Sequence, residues 1–68
     1  FHRSEEAMRA HRALHLLPEP YREVFSLRVV GGLSFQQIGG LFHKTANWAC
    51  VTYHRARQHL RDSMEEKT

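Results

Sequence analysis

The sequence lacks the features that several classes of protein require. Its 68 residues include one cysteine, Cys50, so an internal disulfide is impossible. No apolar run approaches the roughly 18 residues that a membrane-spanning helix needs. A chain this short buries only about 60% of its unfolded surface, which leaves little room for a catalytic cleft. We therefore expect a single domain of a cytoplasmic protein, with neither a membrane span nor a signal peptide.

Motifs for catalysis and for metal binding are also missing. The sequence has no nucleophile motif, phosphate-binding loop or paired carboxylates, so an enzyme is not expected. The pairs His11/His15 and Cys50/His54 have helical i, i+4 spacing, at which two side chains can share a metal ion. Two ligands do not complete a zinc site, and no further ligands follow at a zinc-finger spacing. We expect no metal, no cofactor and no catalytic residue.

Positive charge is concentrated in one segment. The net charge is +3, and residues 1–42 contribute only +1, from five arginines and four glutamates. Four cations and no acid follow between residues 44 and 61, namely Lys44, Arg55, Arg57 and Arg61. A local excess of this kind favours a polyanionic partner, so this segment is the candidate nucleic-acid-binding region.

Caps and helix-breaking residues predict four helices, near residues 4–16, 19–30, 34–42 and 45–64. Ser4 is a candidate N-cap for the first helix, and Pro20 falls in the first turn of the second. Gly31 and Gly32 end the second helix. The tail from Ser63 to Thr68 is expected to fray. No alternating strand pattern occurs, so the predicted fold class is all-α.

The stretch from Leu33 to Leu60 predicts a helix-turn-helix at about residues 34–61. Ser34 and Gln37 fit a capping box, and Thr45 is a candidate N-cap for the last helix. Between them, His43 marks a turn in which such motifs often need a left-handed residue. Gly39 is expected where two helices approach closely, whereas nothing in the sequence explains Gly40. We expect a four-helix domain of the winged-helix-like DNA-binding superfamily, without a wing.

The last helix has two predicted faces. Residues at alternating spacings of three and four face the core, namely Ala46, Ala49, Tyr53, Ala56 and Leu60. The residues rotated away from that stripe face outward, namely Asn47, Cys50, Val51, His54, Arg55 and Gln58. Trp48 is undecided: it packs on a sugar–phosphate strand or covers the core between the third and fourth helices.

The run LPEPYREVFSLRVVGGLSFQQI and the later HRARQHL resemble region 4 of bacterial sigma factors of the extracytoplasmic-function (ECF) group. The resemblance covers about residues 13–60. It implies a domain that binds the −35 promoter element, contacts the flap of RNA polymerase and is often masked by an anti-sigma factor. It also implies that region 2 would precede Phe1, so we expect residues 1–68 to be a region 4 fragment.

The resemblance also implies site residues. Cys50, Val51, His54 and Arg55 fall on positions that carry base and phosphate contacts in the family. Adding the outward face and the flanking cations, the candidate DNA-binding residues are Lys44, Thr45, Asn47, Trp48, Cys50, Val51, His54, Arg55, Arg57 and Gln58. Relatives usually have Ala-Glu where Gly39-Gly40 stand, so the third helix is expected to be loose.

Surplus apolar residues on the first two helices indicate a protein partner. Leu16, Phe25 and Val29 are the candidate contacts for the polymerase flap or an anti-sigma helix. The alternative reading is the helix-turn-helix output domain of LuxR-type transcription regulators, which shares the rhythm L-S-x-x-x-I. The LPExYREVF run and the HRAR ending favour the sigma factor reading.

Overall fold

A computed structural model describes residues 3–65, with side chains from residue 5 onward. It contains four helices: α1 (Arg3–Leu16), α2 (Tyr21–Val29), α3 (Phe35–Leu41) and α4 (Ala46–Glu65). No strand occurs in this range, which confirms the expected all-α, four-helix fold. None of these helices is both long enough and apolar enough to cross a membrane.

The ends of α1 and α4 differ from the sequence prediction. α1 already includes Arg3, so Ser4 lies within the helix and not at its N-cap. α4 continues through Ser63 to Glu65, so the first residues of the predicted tail are helical. The rest of the predicted tail, residues 66–68, lies outside the described residues.

The start of α2 is also later than predicted. Pro20 occupies the N-cap position with φ −90° and ψ 5°, so it precedes the first turn, and Glu19 remains outside the helix. The Glu19 carboxylate takes over the capping role, because its Oε1 accepts the backbone N–H of Glu23 at 3.1 Å. Its Oε2 lies 2.9 Å from Arg22 Nη2 in an exposed ion pair.

The core forms around α4, which α1, α2 and α3 all contact. Val24, Ile38 and Ala49 are fully buried at its centre, and aromatic rings from α3 and α4 close around them. Thr52 is buried with them, whereas Ala46 is exposed, contrary to the predicted core stripe. Thr52 lies between Ala49 and Ala56 on the same side of the helix, while Ala46 is the first residue of α4.

The turn between α3 and α4 has the strained conformation that we expected. His43 has a φ of 59°, in the left-handed region that residues with a side chain rarely adopt. The carbonyl of Gly39 accepts N–H groups from Phe42 at 3.1 Å and from Lys44 at 2.7 Å. These bonds end α3 and direct the chain into α4.

Candidate nucleic-acid interface

Side-chain caps define the starts of both helices of the helix-turn-helix. Ser34 Oγ accepts the N–H of Gln37 at 3.1 Å, and Gln37 Oε1 accepts the N–H of Ser34 at 2.9 Å, which confirms the capping box. Thr45 Oγ1 accepts the N–H of Trp48 at 3.0 Å, so Thr45 caps α4 as predicted. The N–H groups that begin α4 carry the positive end of the helix dipole, which attracts anions.

The outward face of α4 contains most of the predicted DNA-binding residues. Ala49, Thr52 and Ala56 are buried on the opposite side of the helix. The residues exposed on the outward side are Asn47, Val51, His54, Arg55 and Gln58. Cys50 differs from the expectation, since its side chain is only half-exposed at the edge of this face. The face is polar except for Val51, and it begins at the capped end of α4.

The exposed face has two flanks. At about 100° per residue, Trp48 and Arg55 lie along one flank of α4, and Lys44 precedes the helix. His54 lies on the other flank, beside the half-exposed Cys50. This arrangement allows side chains to reach both walls of a groove that holds the helix.

Trp48 is built into the packing between α3 and α4. Its ring lies 5.1 Å from the ring of Phe42 and is partly buried against the core. The Lys44 ammonium stands 5.8 Å from the centre of the Trp48 ring, near enough for a cation–π contact. Of the two roles left open by the sequence, this packing supports the role of Trp48 as a cover for the core.

His54 stands among aromatic rings although it is exposed. Its ring centre lies 5.4 Å from that of Tyr53 and 6.5 Å from that of Phe35. Phe35 is the first residue of α3, so the supporting helix borders the exposed flank of α4 here. The sequence pattern did not indicate this contact between Phe35 and His54.

The four cations of this segment do not all face the same way. Lys44 and Arg55 are exposed near the outward face, whereas Arg57 and Arg61 line a groove of about 440 Å³ between α1, the end of α2 and α4. The other lining residues are mostly apolar: Ala10, His11, Leu14, Phe25, Val30, Leu60 and Met64. Arg57, a predicted phosphate ligand, therefore also borders an apolar surface. We call this surface the apolar groove.

The predicted partner-binding residues differ in their relation to the apolar groove: Phe25 lines it, whereas Leu16 and Val29 do not. Leu16 is 76% exposed and Val29 is 53% exposed. Phe25 is half-buried, because its ring stacks on Tyr53 at 5.8 Å, and it lines the apolar groove. Val30 is 84% exposed and also lines the groove, yet the sequence reasoning did not select it. Val30 follows the last turn of α2 and immediately precedes Gly31, and this position in the sequence could have indicated that it is exposed.

The candidate metal-binding pairs His11/His15 and Cys50/His54 gain no third ligand among the described residues. Among the described residues, no three histidine, cysteine, aspartate or glutamate side chains come together in an arrangement suited to a metal ion. His11 lines the apolar groove, and the side chains of Cys50 and His54 lie along one flank of α4.

Comparison with known proteins agrees with this geometry. Residues 7–60 match the family described as Sigma-70, region 4. The ECF RNA polymerase sigma factor SigD of Mycobacterium bovis, and that of two strains of Mycobacterium tuberculosis, is 34% identical over 61 residues. The match covers 90% of this chain but only 29% of those relatives, so the chain spans less than a third of their length. No solved structure matches significantly. The chain belongs to the sigma-70 region 4 family, and its resemblance to the region 4 of ECF sigma factors is confirmed.

Proposed function

We propose that α4 reads the −35 element of bacterial promoters, as part of a longer sigma factor that directs RNA polymerase to start transcription. The observation that carries the proposal is the exposed face of α4, where Asn47, Val51 and Arg55 stand together beside a capped helix N-terminus. Helix-turn-helix proteins insert this end of the second helix into the major groove. The proposed role is binding rather than catalysis, in the cytoplasm where promoter DNA and polymerase meet.

The proposed contacts are of two kinds. Lys44, the backbone N–H groups after Thr45, and Arg57 hold phosphates, which fixes the position of the helix without reading sequence. Arg55 makes a bidentate contact to guanine, and Val51 touches a thymine methyl group. The remaining candidates, assigned to base edges or neighbouring backbone by their place on α4, are Asn47, Cys50, His54 and Gln58. Trp48 packs against the core, so only its exposed part is proposed to touch the DNA backbone.

The experiment compares binding of polymerase holoenzyme, containing the full sigma factor, to matched and scrambled −35 DNA. Arg55→Ala should cost about 1–3 kcal/mol, mainly on the matched sequence. Arg9→Ala removes the same charge from an exposed position on α1 and is the control, for which discrimination should be unchanged. Equal binding losses on both DNAs for Arg55→Ala would contradict a base-reading role.

We also propose that the apolar groove and its exposed neighbours bind a helix of the polymerase flap or of an anti-sigma factor. Leu16, Phe25 and Val29 were selected for this role, and Val30 joins them because it lines the groove and is largely exposed. One groove accommodates one helix, so an anti-sigma factor and core polymerase should compete. The test is a pull-down of core polymerase by the full sigma factor with increasing amounts of the anti-sigma protein, in which polymerase should be released.

The match to the sigma-70 region 4 family over residues 7–60 favours this function over a LuxR-type output domain. The two readings differ in the partner that they require. A sigma factor acts as a subunit of the polymerase holoenzyme, whereas a LuxR-type domain would act on its operator without joining the polymerase core.

A further inference from the structure

Arg28, in the last turn of α2, reaches across to the start of α3. Its Nη1 donates a hydrogen bond to the carbonyl of Leu33 at 3.0 Å, and its Cζ lies 4.3 Å from the centre of the Phe35 ring. The side chain is partly buried there. One guanidinium group therefore bridges the connection through Gly31 and Gly32, making a hydrogen bond and a stacking contact.

Phe35 connects this contact to α4. Its ring centre lies 5.6 Å from that of Tyr53, which belongs to the core, and 6.5 Å from that of His54, which is exposed on the DNA-facing side. Arg28, Phe35 and His54 thus form a continuous series of contacts from α2 to the exposed flank of α4. Arg28 itself lies on α2, outside the set of residues assigned to DNA.

We propose that Arg28 is a positioning residue for promoter recognition: it holds the Phe35 ring, which in turn holds the His54 ring in its orientation for DNA. The inference rests on the proposed function of α4. An exposed histidine that rotates freely must be ordered on binding, and ordering a side chain opposes binding. A ring already confined by Phe35 and Tyr53 avoids most of that loss.

The chemistry of arginine explains why this residue type stands at position 28. A planar guanidinium can stack on an aromatic ring and donate hydrogen bonds in its own plane at the same time. Lysine retains the charge and can donate hydrogen bonds but has no planar group that can stack. Arg28→Lys should therefore restore only part of what Arg28→Met removes.

The first test measures the orientation of His54 without DNA. Ring-proton chemical shifts of the histidines are recorded in the free full-length sigma factor. Arg28→Met should move the His54 signals toward those of an unconfined histidine, and Arg28→Lys should move them less. Arg22→Met is the matched control, since Arg22 lies on the same helix but bonds to Glu19 and to the carbonyl of His15. Unchanged His54 signals in Arg28→Met would overturn the inference.

The second test is a double-mutant cycle in the polymerase holoenzyme. Arg28→Met should reduce discrimination between matched and scrambled −35 DNA by roughly threefold to fivefold, less than the loss of a whole base contact. The same change in a His54→Ala background should have no effect, because the ring that Arg28 positions is gone. An equal reduction in both backgrounds would mean a merely structural role and would overturn the inference.

The proposed function of α4 and the proposed role of Arg28 give different results in these experiments. If α4 does not read DNA, then Arg55→Ala and Arg28→Met both leave discrimination unchanged. If only the inference about Arg28 is wrong, Arg55→Ala still reduces discrimination, whereas Arg28→Met does not do so through His54.

Discussion

Gly39 lies against the backbone of Thr45. A Cβ atom on Gly39 would stand 2.5 Å from the Thr45 carbonyl oxygen and 2.9 Å from that of Lys44, much closer than real Cβ contacts allow. The absence of a side chain at Gly39 therefore allows α3 to meet the residues that lead into α4. The adjacent Gly40 has nothing within 4 Å of the position where its Cβ would lie.

The two glycines should respond to alanine in opposite directions. Gly39→Ala should lower the free energy of unfolding by about 1–3 kcal/mol, because backbone must move to make room. Gly40→Ala should raise it by about 0.5–1 kcal/mol, since alanine favours the helix and restricts the unfolded chain. Urea unfolding of the 68-residue chain measures both. Stabilisation by Gly39→Ala would refute the packing at Gly39, and destabilisation by Gly40→Ala would refute the open space beside Gly40.

His43 should be a second site where a small change stabilises the chain. Its φ of 59° costs an ordinary residue about 1–2 kcal/mol, which glycine does not incur. Part of that gain is lost to the greater freedom of glycine in the unfolded state, so His43→Gly should raise stability by about 0.5–1 kcal/mol. His43→Val should lower it. If thermal melting ranked valine above glycine, the left-handed turn would be disproved.

The stability lost when an apolar side chain is truncated to alanine should increase with the burial of that side chain. Ile38 is fully buried, so Ile38→Ala should cost about 2–4 kcal/mol. Leu60 has the same predicted role in the core, but it lines the apolar groove and is half-buried, so its truncation should cost about half as much. Leu41, at 61% exposed, is the control and should change stability by less than about 0.5 kcal/mol. Denaturant midpoints that ranked Leu41 with Ile38 would contradict this placement of the core.

Removing Lys44 should weaken DNA binding without changing sequence preference. A phosphate contact releases counterions, so Lys44→Ala should reduce the salt slope of binding by about 1 and weaken matched and scrambled −35 DNA alike. Gln36→Ala, an uncharged exposed change on α3, should leave the slope as it is. The measurement is holoenzyme binding over a salt series. A loss confined to the matched DNA would assign Lys44 to base reading instead.

Charges on the exposed apolar residues should affect partner binding and not folding. Val30→Glu and Leu16→Glu should each weaken binding to core polymerase or to the anti-sigma factor by about 1–2 kcal/mol, as loss of an interface contact does. Leu41→Glu is the control on α3, with similar exposure. Unfolding midpoints check that the variants fold. Unaltered affinity for both partners in Val30→Glu would remove the apolar groove from the interface. The same result in Leu16→Glu would remove the exposed end of α1 from it.

Local signals in the sequence predicted much of this fold. Three features depend only on residues within three or four positions of each other: the capping box of Ser34 and Gln37, the Thr45 cap and the turn at His43. The sequence alone was therefore sufficient to predict them. Glu19 shows where this reasoning fails. Proline at position 20 suggested an earlier helix start, but the Glu19 side chain caps from outside the helix.

The sequence predicted which side of α4 carries the candidate site, but not which residues of the other helices lie beside it. A period of about 3.6 residues separated the exposed side of α4 from its buried side, except at Ala46, Cys50 and Thr52. The positions of α1 and the end of α2 were not encoded in that period. Consequently the position of Arg57 and Arg61 beside the apolar groove, and the contact from Arg28 to Phe35, emerged only from the packed helices.

α4 runs without proline or glycine from Ala46 to Glu65, so it should move as one rod about 30 Å long. The residues proposed to read bases lie near its beginning, and Leu60 and Met64, in the apolar groove, lie near its end. A tilt of about 5° imposed at one end displaces the other by roughly 2–3 Å, as far as a hydrogen bond is long. Under the proposed function, an occupant of the groove that tilts α4 also moves the residues proposed to read bases, so the −35 preference would depend on the partner bound there.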